Sequence, residues 1–169
     1  LRRALCRALN LMFADIFADQ KDRIVPVATI PAHTPEEAIA ELDHAVGALG
    51  FKVATINSNI IRPIPAAAQG GGAAARFATW VDTLCMDGPY NYDPVWARCV
   101  ELQVAPTFHS ATGLWAGRSV TNYSNNHIGN LAQSQEVLAK SLFLHGVPRR
   151  FPTLNFGFLL ALLTRAFFA

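Results

Sequence analysis

Ala105-Pro106-Thr107-Phe108-His109-Ser110 is a short apolar run that closes on a polar pair. A helix-like segment precedes it and a glycine-bearing loop follows it. A β/α protein places a metal-binding or catalytic histidine in this way, at the C-terminal end of a buried strand where the next loop opens the site. His109 is therefore the first candidate functional residue, and its neighbours decide what it can do. Upstream, Asp93-Pro94 predicts a helix start with Asp93 as cap and Pro94 in the first turn. Val95, Cys99, Val100 and Leu102 give that helix an apolar side. Downstream, a polar loop over 112–125 leads to a helix predicted from about Asn126 to His145. Gly146 ends it, with Pro148 beyond. Leu154 to Leu160 predicts a last strand, and Leu162 to Ala169 begins another helix.

Further upstream the same alternation recurs. Leu5, Leu9, Met12, Phe13, Ile16 and Phe17 recur at spacings of three and four, one helical stripe over Leu1 to Asp19. Ile24 to Ile30 reads as a short buried strand, weakened by Pro26, which has no N–H to give a ladder. Thr34-Pro35-Glu36-Glu37 combines a capping threonine, a first-turn proline and a capping-box glutamate. The helix it opens stops at Gly50, and Phe51 to Ile56 is the second strand. From about 57 to 92 the chain is a long irregular insertion, with a short helix expected around Ala74 to Leu84. Gly70-Gly71-Gly72 lacks the Lys and Ser/Thr of a phosphate loop and reads as flexible linker.

Helices and strands thus alternate through one unit, residues 1–169, interrupted by that insertion. Alternation at this spacing means right-handed β/α units on a parallel sheet. Four strands make a small open sheet or half of an eight-stranded barrel. No glycine-rich fingerprint follows any strand, which argues against a dinucleotide fold.

Half of the residues (51%) are hydrophobic and only 15% charged, as expected where strands are buried on both faces. A net charge of +2, with small basic clusters at Arg2, Arg3, Arg7 and Arg149-Arg150 and no interleaved aromatics, argues against nucleic acid. Cys6, Cys85 and Cys99 are odd in number and form no C-x-x-C pair. Reduced thiols in a cytoplasmic protein are the expectation. The apolar end from Leu154 to Ala169 is short for a membrane span and contains Arg165, so no membrane association is expected. The start, with Leu1 already in a helical pattern, and this apolar end both read as a chain cut within a larger core.

The remaining polar residues sort by position. Asn57 and Ser58 end the second strand, face the same rim as His109 and are candidates for substrate contact. His127 opens a helix on that rim, either capping the loop or contacting substrate. Trp115 and Tyr123 either line a pocket there or pack on the surface. His33 reads as a solvated loop residue, His44 as helix surface and His145 as a helix-end cation. Arg149 and Arg150 lie at the opposite rim, which favours structural ion pairs.

Several segments in order carry a family likeness. They are Asn10, Gly50-Phe51-Lys52, Tyr92-Asp93-Pro94-Val95-Trp96, Thr107-Phe108-His109-Ser110, Asn126-His127-Ile128-Gly129, and Gly146 to Pro152 running into Leu154-Asn155-Phe156-Gly157-Phe158-Leu159. Together they resemble the amidohydrolase-related family of metal-dependent (β/α)8-barrel enzymes similar to aminocarboxymuconate-semialdehyde decarboxylase. The resemblance implies a partial TIM barrel, α/β, spanning roughly strands three to six. It implies a divalent metal, most often zinc, held by a His-x-His pair on strand one, a histidine on strand five and an aspartate on strand eight. His109 matches the strand-five ligand. No His-x-His occurs in this sequence, and the resemblance places its last residues before strand eight. Relatives carry a histidine-glycine or glutamate-glycine-glycine cluster where Leu159-Leu160-Ala161-Leu162 stands, and often a second histidine where Asn130 stands.

The function implied is a portion of a metal-dependent hydrolase acting on a small carbonyl or carboxylate substrate, inactive alone and binding no metal by itself. A metal-dependent decarboxylase of the same family is one alternative. A non-catalytic, truncated or degenerate barrel segment is another, or a pairing module completed by another chain through its exposed sheet edge, a homo-oligomer included.

Overall fold

The structure, a computed structural model, describes residues 1–73, 75–109, 121 and 123–159, with 123–131 as backbone. Its elements are α1 (Arg2–Ile16), β1 (Val27–Ile30), α2 (Pro35–Leu42), β2 (Val53–Asn57), β3 (Ile60–Pro63), α3 (Pro65–Gly70), β4 (Thr79–Asp82), α4 (Asp93–Glu101), β5 (Pro106–His109), α5 (Tyr123–Leu144), α6 (Val147–Arg150) and β6 (Gly157–Phe158). β1, β2, β5 and β6 form one parallel sheet in that order, and β3 pairs with β4 in an antiparallel hairpin. Among the described residues the sheet is open. The result is an α/β fold, part of a TIM barrel.

The register sorts side chains into rows. Ala28, Ala54 and Pro106 align across three strands, as do Ile30, Ile56 and Phe108. All six are buried. Successive strand residues point to opposite faces, so the rows between them lie on the other side. There Thr29, Thr55 and Thr107 align with Gly157, and Asn57 aligns with His109. A Cβ on Gly157 would lie 2.9 Å from Thr107 Cγ2, so a side chain at that position would force Thr107 to move. The apolar rows share one core with Ala38 and Leu42 of α2, Val95, Trp96 and Cys99 of α4, and Leu138 and Leu142 of α5.

Local chemistry explains the boundaries. Thr34 accepts from the Glu37 N–H while Glu37 accepts from the Thr34 N–H, so the expected capping box is present. After Leu42 the helix widens into a π-helical turn over Asp43–Ala48, and Gly50 then leaves it at φ +76°. Gly146 ends α5 in the same left-handed region, at φ +74°. The first strand starts at Val27, just past the donor-less Pro26, rather than at Ile24. The last strand is two residues long, not seven.

Three expectations need correction. No α-helix forms over the described residues 75–84: Ala75–Phe77 makes a single 3-10 turn, and Thr79–Asp82 is a strand. The β-branched and aromatic residues of Ile60-Ile61 and Thr79-Trp80-Val81 won over the helix propensity of the alanines. Asp93 does not cap α4; Tyr92 occupies the cap position, and the Asp93 carboxylate instead binds Arg150 at 2.7 and 2.8 Å. That pair ties α6 to α4. The helix expected over Leu162 to Ala169 lies outside the described residues.

The three cysteines are free, and burial pushes the Cys85 and Cys99 thiols up to about 12. Among the described residues no helix is long and apolar enough to cross a membrane.

Asn10, on α1, is fully buried and closes one rung of the outer edge of β1. Its Oδ1 accepts from the Thr29 N–H at 2.8 Å, and its Nδ2 donates to the Thr29 carbonyl at 3.0 Å and to Glu41 Oε1 at 2.8 Å. Asn10→Ala would leave a buried N–H, a carbonyl and one carboxylate oxygen without these partners. It is expected to lower stability by about 2 kcal/mol in urea unfolding. A loss within about 0.5 kcal/mol, the range of ordinary surface changes, would show that the amide is dispensable.

Candidate active site

His109 is the last residue of β5, exposed, and in register with Asn57, the last residue of β2. Both line a groove of ≈ 300 Å³ at the C-terminal ends of β1, β2 and β5. Arg2 and Cys6 of α1, His33 of the loop after β1, and Ile60 of β3 complete its rim, with Thr29 and Thr55 deeper along the strands. The sheet explains this convergence. Parallel strands end on the same side, so their last side chains meet although they are distant in sequence.

Of the residues expected on this rim, the structure brings together His109 and Asn57. Ser58 is fully buried, and its Oγ accepts from Asn59 Nδ2 at 3.3 Å; it does not line the groove. His127 lies on the first turns of α5, and its side chain is outside the described residues, as is that of Tyr123. Trp115 is also outside them.

His33 is a loop residue with its side chain 39% exposed, as expected, but it also lines the groove, with its Nδ1 buried and without a hydrogen-bond partner. Glu37 fixes the loop that carries it. Glu37 Oε1 accepts the His33 N–H at 2.7 Å and the Thr34 N–H at 3.2 Å. The same carboxylate receives Arg2 through three hydrogen bonds of 2.9 to 3.2 Å. Burial opposes ionisation of Glu37, but the Arg2 bonds, the two backbone donors and the Arg2 charge outweigh it and hold the carboxyl below its ordinary value. Burial, with the Arg2 charge, holds the His33 imidazole below its ordinary value against the smaller pull of Glu37. His33 is therefore neutral at pH 7.

A second cluster sits beside the groove, under the hairpin. Arg62 Nε bonds Asp82 Oδ2 at 2.5 Å, and the Arg62 guanidinium lies 4.9 Å from the Tyr90 ring centre. Arg62 also donates to the Tyr92 hydroxyl at 3.1 Å, which in turn donates to the Ala32 carbonyl at 2.6 Å. This relay ties β3 to the loop bearing His33. Sequence reading missed it because β3 and β4 were taken as irregular chain. The β-branched and aromatic residues Ile60, Ile61, Trp80 and Val81 on either side of a glycine-rich link were the available signal.

The arrangement can bind a small polar molecule between two imidazoles and an amide. Among the described residues no three His, Cys, Asp or Glu side chains converge, whereas a catalytic zinc normally takes three protein ligands.

The family model described as amidohydrolase matches residues 1–158. The chain belongs to the amidohydrolase family. No curated protein matches it. Among solved structures, this amidohydrolase-family chain is similar to a 2,6-dihydroxybenzoate decarboxylase from Rhizobium, at 22% identity and a TM-score of 0.64 over 92% of this chain and 44% of that one. A dihydroxybenzoic acid decarboxylase from Polaromonas, solved with manganese and the inhibitor 2-nitroresorcinol, is 21% identical, with a TM-score of 0.63 over 92% and 43%. A 5-carboxyvanillate decarboxylase from Sphingomonas paucimobilis is 21% identical, with a TM-score of 0.63 over 92% and 40%. The chain spans less than half the length of each of these structures. At these identities the likeness carries the fold.

Proposed function

We propose that this chain supplies the strand-three-to-six side of a metal-dependent active site acting on a small carboxylated substrate. The observation that carries the reading is the pairing of His109 with Asn57 at the strand ends, inside one groove, in a chain of this family. His109 is the residue to hold a divalent metal from this side, and Asn57 the one to orient substrate beside it; His127 belongs to the same rim. When bound, the metal would polarise a substrate oxygen. Among the described residues no further His, Cys, Asp or Glu set converges with His109 to complete such a centre.

Decarboxylation is favoured over hydrolysis because the solved structures cited above are named as decarboxylases of hydroxylated aromatic acids. In such a reaction the carbon–carbon bond to the carboxylate breaks, carbon dioxide leaves, and a proton takes its place. Hydrolysis of a small carbonyl substrate is the second reading, favoured by the family description.

Zinc and manganese are the metals to test: imidazole suits the first, and the Polaromonas enzyme holds the second. On titration with manganese, the imidazole NMR signals of His109 are expected to broaden before those of the other four histidines. His109→Ala should abolish the preference. Equal broadening of all five would sink the assignment.

A further inference from the structure

We infer that His33 is a ligand-contacting residue of this groove, a second imidazole that meets a hydroxyl-bearing carboxylate ligand from the β1 side while His109 and Asn57 meet it from β5 and β2. The inference rests on the reading of the groove as the substrate site, and it adds a residue that the family likeness does not supply. Three observations carry it. His33 lines the same groove as His109 and Asn57. Its side chain is 39% exposed, and no hydrogen bond takes its Nδ1, Glu37 Oε1 lying too far away at 3.8 Å. Its own N–H and that of Thr34 both donate to Glu37, and that carboxylate is held by Arg2, so the imidazole is presented on a fixed loop.

Nδ1 itself is turned away from solvent while the ring is partly exposed, so it is the open part of the imidazole that a ligand in the groove meets. Neutral imidazole carries one donor and one acceptor. A ligand hydroxyl offers the same complement, so the two match in either tautomer. Arg2 and Arg62 are the nearby cations and Glu37 the nearby anion that act on His33. Because Arg2 is already bonded to Glu37, the His33 side of the groove is not a free-standing positive patch. The contact is therefore with the hydroxyl rather than with the carboxylate.

The test uses the whole chain and 2,6-dihydroxybenzoate as probe, followed by NMR of the imidazole and Asn57 amide signals. The ligand is expected to shift the signals of His33, Asn57 and His109 together. His33→Ala should weaken binding about tenfold, with an unchanged melting temperature, since Glu37 bonds the backbone of His33 and not its ring. His33→Gln, which also presents a donor and an acceptor, should recover most of the affinity. If the probe shifts Asn57 and His109 but His33→Ala binds it as tightly as the parent, the role of His33 is overturned and the groove stands. If the probe at saturating concentration shifts none of the three, both readings are overturned.

Discussion

Replacing Trp96 with alanine is expected to lower stability by about 3–5 kcal/mol, the range for a large aromatic side chain removed from a core. Trp96 is 1% exposed and sits where α4 meets the sheet. Its ring centre lies 6.3 Å from Phe108 of β5 and 5.7 Å from Phe156, which leads into β6, both in edge-on geometry. Phe108 in turn stacks on Phe156 and Phe158 at 6.1 and 5.5 Å. The two-residue β6 has little ladder of its own, so this aromatic cluster is what fixes it against β5. The variant should therefore loosen β6 before the rest, visible as earlier amide exchange at Phe158 than at Ile56. Trp96→Phe should cost less, because it keeps part of the edge contacts. A loss under about 1 kcal/mol for the alanine variant would show that the cluster repacks, contrary to the close packing of protein interiors.

Arg62→Ala should be comparably damaging, at about 3–5 kcal/mol, for an electrostatic reason. Asp82 is fully buried, and Arg62 is its cationic partner. Removing one member of a buried pair strands the other charge away from water. The backbone N–H of Leu84 still reaches Asp82 Oδ1 at 2.8 Å but carries no full charge. The double variant Arg62→Ala with Asp82→Ala should recover a large part of the loss, because no lone charge remains. Additive losses in urea unfolding would refute the pairing. Since Arg62 also holds Tyr92, which holds Ala32, the single variant is expected to release the loop that carries His33.

Much of the frame is legible in residues that obey local rules. Thr34 to Glu37, Gly50, Gly146 and the run ending at His109 each specify a boundary through capping, left-handed backbone or strand burial, and the structure places them so. Elements set by distant partners are less legible. The hairpin joins Ile60 to Asp82 across a link of glycines and alanines, and its anchor is an ion pair between residues twenty apart. Asp93 reads as a cap until Arg150, far along the chain, takes its carboxylate. For the site, His109 and Asn57 follow from strand ends, whereas Ser58 turns out buried and His33 turns out to line the groove. The position of His33 depends on how α1 brings Arg2 to Glu37, a contact across 35 residues that no local pattern announces.

The amide of Asn10 also bears on how copies of this chain can meet. A parallel sheet could grow head to tail, β6 of one copy against β1 of the next, with nothing to close the series. Such growth needs the outward N–H and C=O groups of β1, and those of Thr29 are already engaged from within the same molecule. In this structure one side chain thus occupies the edge groups of Thr29 that a neighbouring copy's strand would need, and a variant lacking it would present a longer adhesive edge.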